Sequence, residues 1–398
     1  MPSLMLFDDG KGLLAPLSDL RPSFGIRTGA LSLFHRCSEL YGQRPRSVFV
    51  PDGNAALTSA LYPDINVNTV HDDEPVLLIN GRCAVPRSEW MDLAPGEAVA
   101  DAETGDIVAA CVPGRQAPRV VSGGASLRAT RSKTRELMYR PWHVRSSRDA
   151  AMGLDLELLT RDPNPRTLPG VTAWGPHPIS IHPSARVSPT VVLEAEAGPI
   201  VIDEDAVVRP GTIIIGPAYV GRHATILERT LIKSWTAIGP YCKVAGEISG
   251  TIFQGFANKA HDGHLGDSWV GEWVNLGAGT TNSNLLNTYD QVITRATPTG
   301  PNERTGEQFL GAIIGDHVKF AICSRIMTGA VLHTGCMFAQ TAPISGCVGA
   351  FAWATDAGVR QYRLDKFIEV AKVVMARRKI TPSEAYLAKL TALHAQGA

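Results

Sequence analysis

The sequence predicts an α/β domain, then a solenoid of short stacked strands, and finally two helices. Three observations predict this fold class. The first 160 residues mix short apolar runs with helix-like stretches, a proline-rich segment follows, and an aliphatic residue then recurs at every sixth position. A chain of 398 residues is also too long for one ordinary hydrophobic core, so more than one domain is expected.

Residues 1–160 are predicted to form the α/β domain. Apolar runs such as Val76–Ile79 indicate strands, and stretches such as Arg131–Tyr139 indicate helices between them. The segment 161–178 contains five prolines and is the predicted linker, because proline interrupts both helices and strands.

A six-residue period marks residues 179–345 as the solenoid. Neither the 3.6-residue period of a helix nor the two-residue period of a strand produces it. We therefore expect each hexapeptide to form one strand and a turn, with its aliphatic side chain on the axis and three strands in a coil. Residues 283–309 are polar and break the period, so they are predicted to project as a loop or arm. The unbroken aliphatic run is Ile202, Val208, Ile214, Val220, Ile226, Ile232, Ile238 and Val244.

Residues 355–398 are predicted to be helical. Apolar residues from Leu364 to Met375 fall on one helical stripe. The segment Thr381-Pro-Ser-Glu384 resembles a capping box, which predicts that a second helix begins at Thr381. Because a solenoid needs its last coil covered, these helices are expected to pack on its open end or on a neighbouring subunit.

The composition excludes several classes of partner. Lys plus Arg equals Asp plus Glu at 38 each, which argues against a dominant nucleic-acid or anionic-membrane surface. The seven cysteines show no metal-like spacing and indicate reduced thiols. The first ten residues, MPSLMLFDDG, lack the features of a signal peptide, and no stretch is long enough to span a membrane. We therefore expect a cytoplasmic protein without a metal site of its own.

One segment departs from the repeat and carries the chemistry. It reads KAHDGHLGDS at 259–268 and continues as VGEWVNLGAGTTNSN at 270–284. This segment resembles the acetyltransferase half of the GlmU family, the bacterial bifunctional enzymes that acetylate glucosamine-1-phosphate and then uridylylate it. In that family a histidine-bearing loop runs into a Gly-Asp step and then into a Val-Asn-x-Gly-Ala-Gly-Thr coil. The resemblance implies a left-handed parallel β-helix of hexapeptide repeats that acts as an acyltransferase, and it implies a homotrimer in which residues 283–309 are placed to be an exchange arm.

An alignment without gaps carries the family's site residues onto this chain. The catalytic histidine falls on His261, the sugar-binding asparagine on Asn275, and a second asparagine on Asn284. An imidazole with a pKa of about 6.5 can accept the proton that an attacking amine loses. His264 stands where the family has a sugar-contacting tyrosine and is the competing base, but its position favours His261.

Two further features concern substrate binding. Backbone N–H groups at Gly277 and Gly279 are candidate donors to the oxyanion that develops on the thioester carbonyl. The lysines with which the family grips the sugar phosphate have no counterpart, and Glu247 lies near one of these places, where it can pair with an ammonium or bind sugar hydroxyls. The phosphate ligand is therefore open among Arg295, Arg304 and Lys319, or the acceptor is a different amino sugar.

The N-terminal domain carries a second resemblance, to sugar-nucleotide pyrophosphorylases. The stretch DDGKGLLAPLSDLRPS at 8–23 is similar to their glycine-rich phosphate loop and the Pro-Leu-Thr-x-x-Arg-Pro-Lys stretch that follows. It implies nucleotide contacts at Gly10 and Gly12, with Arg21 or Arg27 as the charged partners of the phosphate.

Two positions in this domain depart from the pyrophosphorylase pattern. The family's lysine is Ser23, and its metal-binding aspartate is replaced where the central strand ends in Asn80. Asp8 and Asp9 are the available replacement carboxylates for Mg²⁺. The domain most resembles the abbreviated nucleotidyltransferase-like domain of the alternative, GlmU-related branch.

Three functions follow from these resemblances. The first is a CoA-dependent N-acyltransferase that uses acetyl-CoA as cosubstrate and acts on an amino sugar phosphate or a nucleotide amino sugar. The second is a sugar-1-phosphate nucleotidyltransferase that works through the N-terminal domain with Mg²⁺. The third is a non-catalytic regulatory or assembly protein that keeps both folds.

Overall fold

The computed structural model describes residues 2–69, 73–161 and 166–396. Part of the predicted linker, residues 162–165, lies outside the described residues. Within the described residues, the helices are all too short or too polar to cross a membrane.

A seven-stranded sheet and four α-helices build the N-terminal domain. The order in the sheet is β3-β2-β1-β4-β6-β5-β7, with β1 to β4 parallel and β6 antiparallel to β4. The predicted strand Val76–Ile79 is the centre of β4 and is fully buried, as expected for a strand covered on both faces. The elements are β1 (Ser3–Phe7), α1 (Leu33–Tyr41), β2 (Ser47–Phe49), α2 (Asp52–Leu61), β3 (Asn66–Val67), β4 (Pro75–Asn80), β5 (Glu97–Ala100), β6 (Ile107–Pro113), α3 (Ala117–Val121), β7 (Arg128–Arg131) and α4 (His143–Leu159).

The helix predicted over 131–139 is wrong. Arg131 ends β7, and Leu137 forms a β-bridge with Cys83 instead. The carboxylate of Asp101 accepts the backbone N–H groups of Glu136 and Leu137 at 2.7 and 3.1 Å. These long-range bonds compete with the bonds of a helix, which a local pattern cannot reveal, and the helix begins only at His143.

The solenoid has three faces of parallel strands, which confirms the predicted fold class. The first face contains Arg186–Val187, Val207–Val208, Thr225–Ile226, Lys243–Val244, Asn258–Lys259, Asn275–Leu276, Lys319–Phe320, Met337–Ala339 and Ala352–Thr355, followed by antiparallel Gly358–Gln361. The second contains Thr172–Trp174, Val192–Glu194, Ile213–Ile215, Leu231–Ile232, Glu247–Ser249 and His264–Gly266, and the short pair Thr281–Asn282 and Arg325–Ile326 follows it. The third contains Ile179–Ile181, Ile200–Ile202, Ala218–Val220, Thr236–Ile238, Ile252–Phe253, Trp269–Val270, Ile313–Ile314, Val331–Leu332 and Cys347–Val348.

The periodic aliphatic residues form the core of these coils. All eight residues of the unbroken run are at most 1% exposed, because each points to the axis. The coils extend beyond the predicted limits at both ends. Thr172–Trp174 lies inside the predicted linker and pairs with Val192–Glu194, and Ala352–Thr355 pairs with Met337–Ala339 beyond residue 345.

The C-terminal helices α5 (Leu364–Ala376) and α6 (Glu384–Gln396) cover one corner of the solenoid. Aromatic rings stack along this corner, and the helices close the stack through Phe367 and Tyr386. The predicted start of the second helix at Thr381 is wrong. It begins at Glu384, where the Ser383 hydroxyl accepts the N–H of Tyr386 at 3.2 Å.

The insertion after residue 283 does not simply project. It forms an antiparallel hairpin of Ile293–Thr294 with Glu303–Arg304, and Val292 beside it is buried. The carboxylate of Glu303 pairs with Arg140 of the N-terminal domain at 2.7 Å. The hairpin therefore packs on its own chain, while Tyr289 at its base is 69% exposed. The homotrimer and the exchange arm stay predictions.

The N-terminal domain packs on the third face of the solenoid. Apolar residues of both parts share one buried cluster, which includes Trp142 and Leu156 on one side and Tyr219 and Trp269 on the other. The indole N–H of Trp269 donates to the carbonyl of Arg27 at 3.1 Å. The two domains therefore share a continuous core.

Candidate functional site

His261 lies on the loop that connects the first face to the second at one corner of the solenoid. Its imidazole is exposed and forms no hydrogen bond or ion pair with another described residue. The backbone around it is fixed. The carbonyl of His261 accepts Lys259 Nζ at 2.8 Å, and the carbonyl of Asp262 accepts the N–H of Gly279 at 3.2 Å. The histidine loop is thus bonded to the glycine-rich coil that Asn275 begins.

Lys259 is a residue of this site that the sequence analysis missed. It pairs in register with Val244, so it occupies the axial position that aliphatic residues fill in other coils. The side chain is 1% exposed, and its amino group donates to the carbonyls of Ala245 and His261 at 3.1 and 2.8 Å. Burial lowers the pKa of Lys259 to about 8. The signal for it was the break in the six-residue period directly before the histidine.

The buried amino group of Lys259 predicts a pH-dependent contribution to stability. Its pKa is about 8 in the folded chain against an ordinary 10.5, so the unfolded chain binds more protons between these values. The contribution of Lys259 to the free energy of unfolding therefore rises with pH across this window by about 3 kcal/mol. Below the window, the full cost of burying the charged amino group is present. In urea denaturation, we expect the unfolding free energy of wild type to rise relative to that of Lys259→Met from pH 8 to pH 10.5. A constant difference would contradict this.

Asn275 faces a pocket on the first face of the solenoid. Its side-chain oxygen accepts the amide N–H of Asn258, one coil earlier, at 2.8 Å. The orientation leaves the amide nitrogen of Asn275 for another acceptor. The pocket has a volume of about 400 Å³ and contains four cationic side chains, those of Lys243, Lys319, Arg377 and Arg378.

Glu247 lies beside His264 rather than His261. The two are neighbours in register on the second face, with 3.6 Å between the imidazole Nδ1 and the carboxylate. Glu247 also pairs with Lys233 at 2.8 Å, and this hydrogen bond holds its pKa below the ordinary value. A carboxylate that orients an imidazole is an arrangement found in general-base sites, so His264 keeps its place as the competing base.

Asn284 belongs to the domain interface. Its amide donates to Asp267 Oδ2 at 2.8 Å, and the other oxygen of Asp267 accepts Arg145 and Arg148 of α4 at 3.0 and 2.8 Å. The structure therefore does not bring Asn284 to the Asn275 pocket, and its amide already has a partner.

The glycines of the coil are not free donors. The N–H of Gly277 donates to Phe320 and that of Gly279 to Asp262, each at 3.2 Å. The expectation that they form an oxyanion hole is therefore wrong for the chain in this conformation, because parallel stacking uses both groups.

The N-terminal glycine loop is occupied by its own aspartates. The N–H of Gly10 donates to Asp8 at 3.0 Å, and the N–H of Lys11 donates to Asp9 at 3.1 Å. Gly10 and Gly12 are both exposed with positive φ, as the loop requires. Two of the amides that would receive a nucleotide phosphate thus already bind carboxylates.

An arginine pairs with the carboxylates near the glycine loop. Arg82 Nη2 lies 2.6 Å from Asp9 and 2.7 Å from Asp106, and Lys11 also pairs with Asp106. Asp8 has no free oxygen either, because its Oδ2 accepts the N–H of Ser23. These residues do not fit Mg²⁺, which requires oxygen ligands without a competing cation. Among the described residues, no cluster of three metal-binding side chains occurs.

Arg21 lies at the interface between the two domains. Its side chain is 5% exposed, and Nη2 pairs with Asp316 of the solenoid at 2.8 Å and with Glu272 at 3.4 Å. The structure therefore pairs Arg21 with the solenoid rather than with the glycine loop, and its role in nucleotide binding stays a prediction. The motif placed it near the loop, whereas the domain interface takes up its charge.

Arg27 lines a cavity between the two domains, and Arg21 lines the same cavity. Its backbone N–H donates to Gln254 at 2.8 Å, and its Nη1 is buried without a hydrogen-bond partner among the described residues. The cavity measures about 410 Å³ and also contains His35 and Arg44. Burial, together with the nearby arginines, lowers the pKa of His35 to about 4. Arg27 therefore lies at the cavity between the domains and not at the glycine loop.

Comparison with known proteins supports this architecture. Residues 4–164 match the family model of sugar nucleotidyl transferases. The bifunctional protein GlmU of Nostoc sp. is 29% identical over 180 residues, which cover 39% of this chain and 39% of that protein. A bifunctional sugar-1-phosphate nucleotidylyltransferase/acetyltransferase of Sulfurisphaera tokodaii is 31% identical over 134 residues, or 33% of each chain. The matches thus span about two-fifths or less of the length of these relatives.

A solved structure, PerB of Caulobacter crescentus in complex with CoA and GDP-perosamine, covers 90% of this chain and 97% of its own at 10% identity, with a TM-score of 0.18. Similarity at this level supports no statement about the fold or function of this chain beyond what its own coils show. Fold and site define a class of two-domain proteins, in which a nucleotidyltransferase-like domain precedes a hexapeptide solenoid. Within that class this chain is similar to GlmU proteins over about two-fifths of its length, and residues 4–164 match the family model of sugar nucleotidyl transferases.

Proposed function

We propose that the chain is a CoA-dependent N-acyltransferase that moves an acetyl group from acetyl-CoA to the amino group of an amino sugar phosphate or a nucleotide amino sugar. One observation carries the proposal: the exposed imidazole of His261 stands on a loop whose backbone Lys259 and Gly279 hold against the coil of Asn275. The relative from Sulfurisphaera tokodaii supports it, since its name combines the two activities.

The proposed mechanism gives each residue a simple task. The imidazole of His261 takes a proton from the substrate's neutral amino group as the amine nitrogen attacks the thioester carbonyl. The tetrahedral intermediate then collapses, the carbon–sulfur bond breaks, and the proton returns from His261 to the leaving thiolate of CoA. Asn275 Nδ2 donates to a sugar hydroxyl, because Asn258 fixes the orientation of its amide. Lys259 holds the loop and touches no substrate.

The proposal is tested by product analysis of the full chain. We would incubate it with acetyl-CoA and a panel of amino sugar phosphates and nucleotide amino sugars, and detect the acetylated product by mass spectrometry and free CoA by thiol titration. Equal amounts of both indicate acetyl transfer. Release of CoA without an acetylated sugar, or no reaction with any member, would reject the proposal.

A second candidate function, sugar nucleotidyl transfer, is favoured by the match of residues 4–164. We infer that this domain binds a nucleotide without efficient turnover. A cavity of about 490 Å³ beside Lys11 and Ser122 offers room for a ligand. Arg82, however, neutralises the carboxylates of Asp9 and Asp106 that a metal ion would need.

We therefore expect no Mg²⁺-dependent release of pyrophosphate from a nucleoside triphosphate and a sugar-1-phosphate, while nucleotides bind in the micromolar to millimolar range. A coupled pyrophosphate assay on the full chain measures the first part, and calorimetry measures the second. The matched variant is Asp9→Asn, which should leave pyrophosphate release at the level of wild type. Rapid release that Asp9→Asn abolishes would establish the nucleotidyltransferase instead.

A further inference from the structure

The pocket at Asn275 has an unusual distribution of charge. Its four cations come from three parts of the chain: Lys243 and Lys319 from two strands of the first face, and Arg377 and Arg378 from the residues that follow α5. Of the residues that the structure describes, no Asp or Glu lines it. We call this site the cationic pocket.

Two cations at the N-terminal end of α5 are neutralised by nearby carboxylates. Arg363 pairs with Asp365 at 2.6 Å, and Lys366 pairs with Glu369 at 2.8 Å. Among the described residues, no such ion pair forms at Arg377 or Arg378. An arginine near a helix C-terminus does stabilise the helix dipole, but this role does not explain the two lysines that the solenoid presents to the same space.

Lys319 contributes a partly buried amino group to the cationic pocket. Its amino group donates a short hydrogen bond to the backbone carbonyl of Trp273, and desolvation lowers its pKa to about 8. Burying an ammonium group near other cations is unfavourable unless an anion offsets it. Nothing in the lining supplies that anion, although Asn258 and Asn275 supply amides that bind neutral hydroxyls next to it.

We propose that the cationic pocket binds a phosphoryl group of one of the two substrates. The proposal rests on the acyltransferase function proposed above. The four cations of the pocket would replace the lysines with which the family binds the sugar phosphate. Arginine binds phosphate oxygens in a bidentate manner and lysine neutralises the remaining charge, which matches a dianion. The volume of about 400 Å³ accommodates a phosphoryl group with an attached ring. The phosphoryl group belongs either to the acceptor sugar or to CoA.

Binding measurements on the full chain test the proposal and separate these sources. Calorimetry would compare acetyl-CoA with S-acetylpantetheine, and glucosamine-1-phosphate with glucosamine, so that each pair differs in its phosphate groups. For the double variant Arg377→Gln/Arg378→Gln we expect at least a thirtyfold loss of affinity for one phosphorylated ligand and no change for its unphosphorylated counterpart. The ligand that loses affinity identifies the source.

The matched control is Lys366→Gln, which removes a cation of α5 outside the pocket and should leave both affinities unchanged. Lys243→Gln is a second test, in case the double variant loosens the helix. Unchanged affinity for both phosphorylated ligands in both pocket variants, or no binding of either ligand to wild type, would overturn the proposal. If binding depends on the pocket but no acetylated product forms, the pocket stands and the acyltransferase function falls.

Proton uptake gives a readout that does not depend on activity. An anion bound beside Lys319 should raise its pKa, so binding at pH 8 takes up a fraction of a proton. Of the groups around it, both arginines stay charged, Lys243 is the other lysine, and burial keeps the pKa of His317 well below its ordinary value. Calorimetry in two buffers of different ionisation enthalpy should show the uptake in wild type and lose it in Lys319→Met. Equal uptake in both would contradict the assignment to Lys319.

Discussion

Replacing His261 by glutamine is expected to lower kcat for acetyl transfer by about 10²–10⁴-fold, because a neutral amide cannot accept the amine proton. The fold should persist, since the side chain is exposed and contacts no described residue by hydrogen bond or ion pair. Steady-state kinetics with a saturating acceptor measures the effect, and the thermal unfolding midpoint confirms that the coil is intact. KM should change much less than kcat.

The matched control is His264→Gln, three residues further on, where the strand His264–Gly266 begins. His264 lies beside Glu247, and the substitution removes a contact with this carboxylate without touching the His261 carbonyl that Lys259 holds. We expect at most a small loss of kcat. If His264→Gln and Glu247→Gln both lower kcat by the full amount while His261→Gln does not, the base is the carboxylate-oriented imidazole of His264.

Replacing Arg21 by alanine is expected to lower the free energy of unfolding by about 3–5 kcal/mol, because it leaves a buried carboxylate without its partner. The side chain of Asp316 is fully buried, and Arg21 is its guanidinium partner across the domain interface at 2.8 Å. Urea unfolding of the full chain measures the effect. Nucleotide affinity should stay close to that of wild type, in contrast to what the loop motif implies.

Arg115→Ala is the control, since Arg115 pairs with Asp73 on the surface of the same domain at 2.8 Å, with side chains that are 71% and 57% exposed. Exposed pairs contribute about 0–1 kcal/mol, so the loss should be small. A large loss of nucleotide affinity in Arg21→Ala with unchanged stability would return this arginine to the nucleotide site.

The period of the sequence was a sufficient guide to the solenoid. A hexapeptide coil is a local unit, and each repeats the contacts of the last, so a side chain's direction follows from its position in the period. The same regularity places Asn275 at the start of a strand and His261 at a corner. The two lie one coil apart, because Asn258 of the strand before His261 pairs in register with Asn275. Fold class, core residues and the location of the histidine loop were therefore predictable.

The partners of charged groups were not predictable, because they lie far apart along the chain. Arg21 and Asp316 are separated by 295 residues, and the local pattern of a phosphate loop gave Arg21 a different role. Arg82 is likewise close in sequence to Asn80 but meets Asp9 and Asp106 only when β1, β4 and the start of β6 come together in the sheet.

The sequence by itself determined that this protein stacks hexapeptide coils behind an α/β domain and that His261 and Asn275 lie on consecutive coils, because these features repeat a short-range geometry. Only the tertiary structure decided which charges are neutralised. It paired Arg21 with Asp316 of the solenoid and Arg82 with Asp9. It also brought Arg377 and Arg378 to Lys243 and Lys319 without a counter-ion among the described residues. Electrostatic interactions act through space, so a charge is assigned to structure or to ligand binding only when the fold shows what stands opposite it.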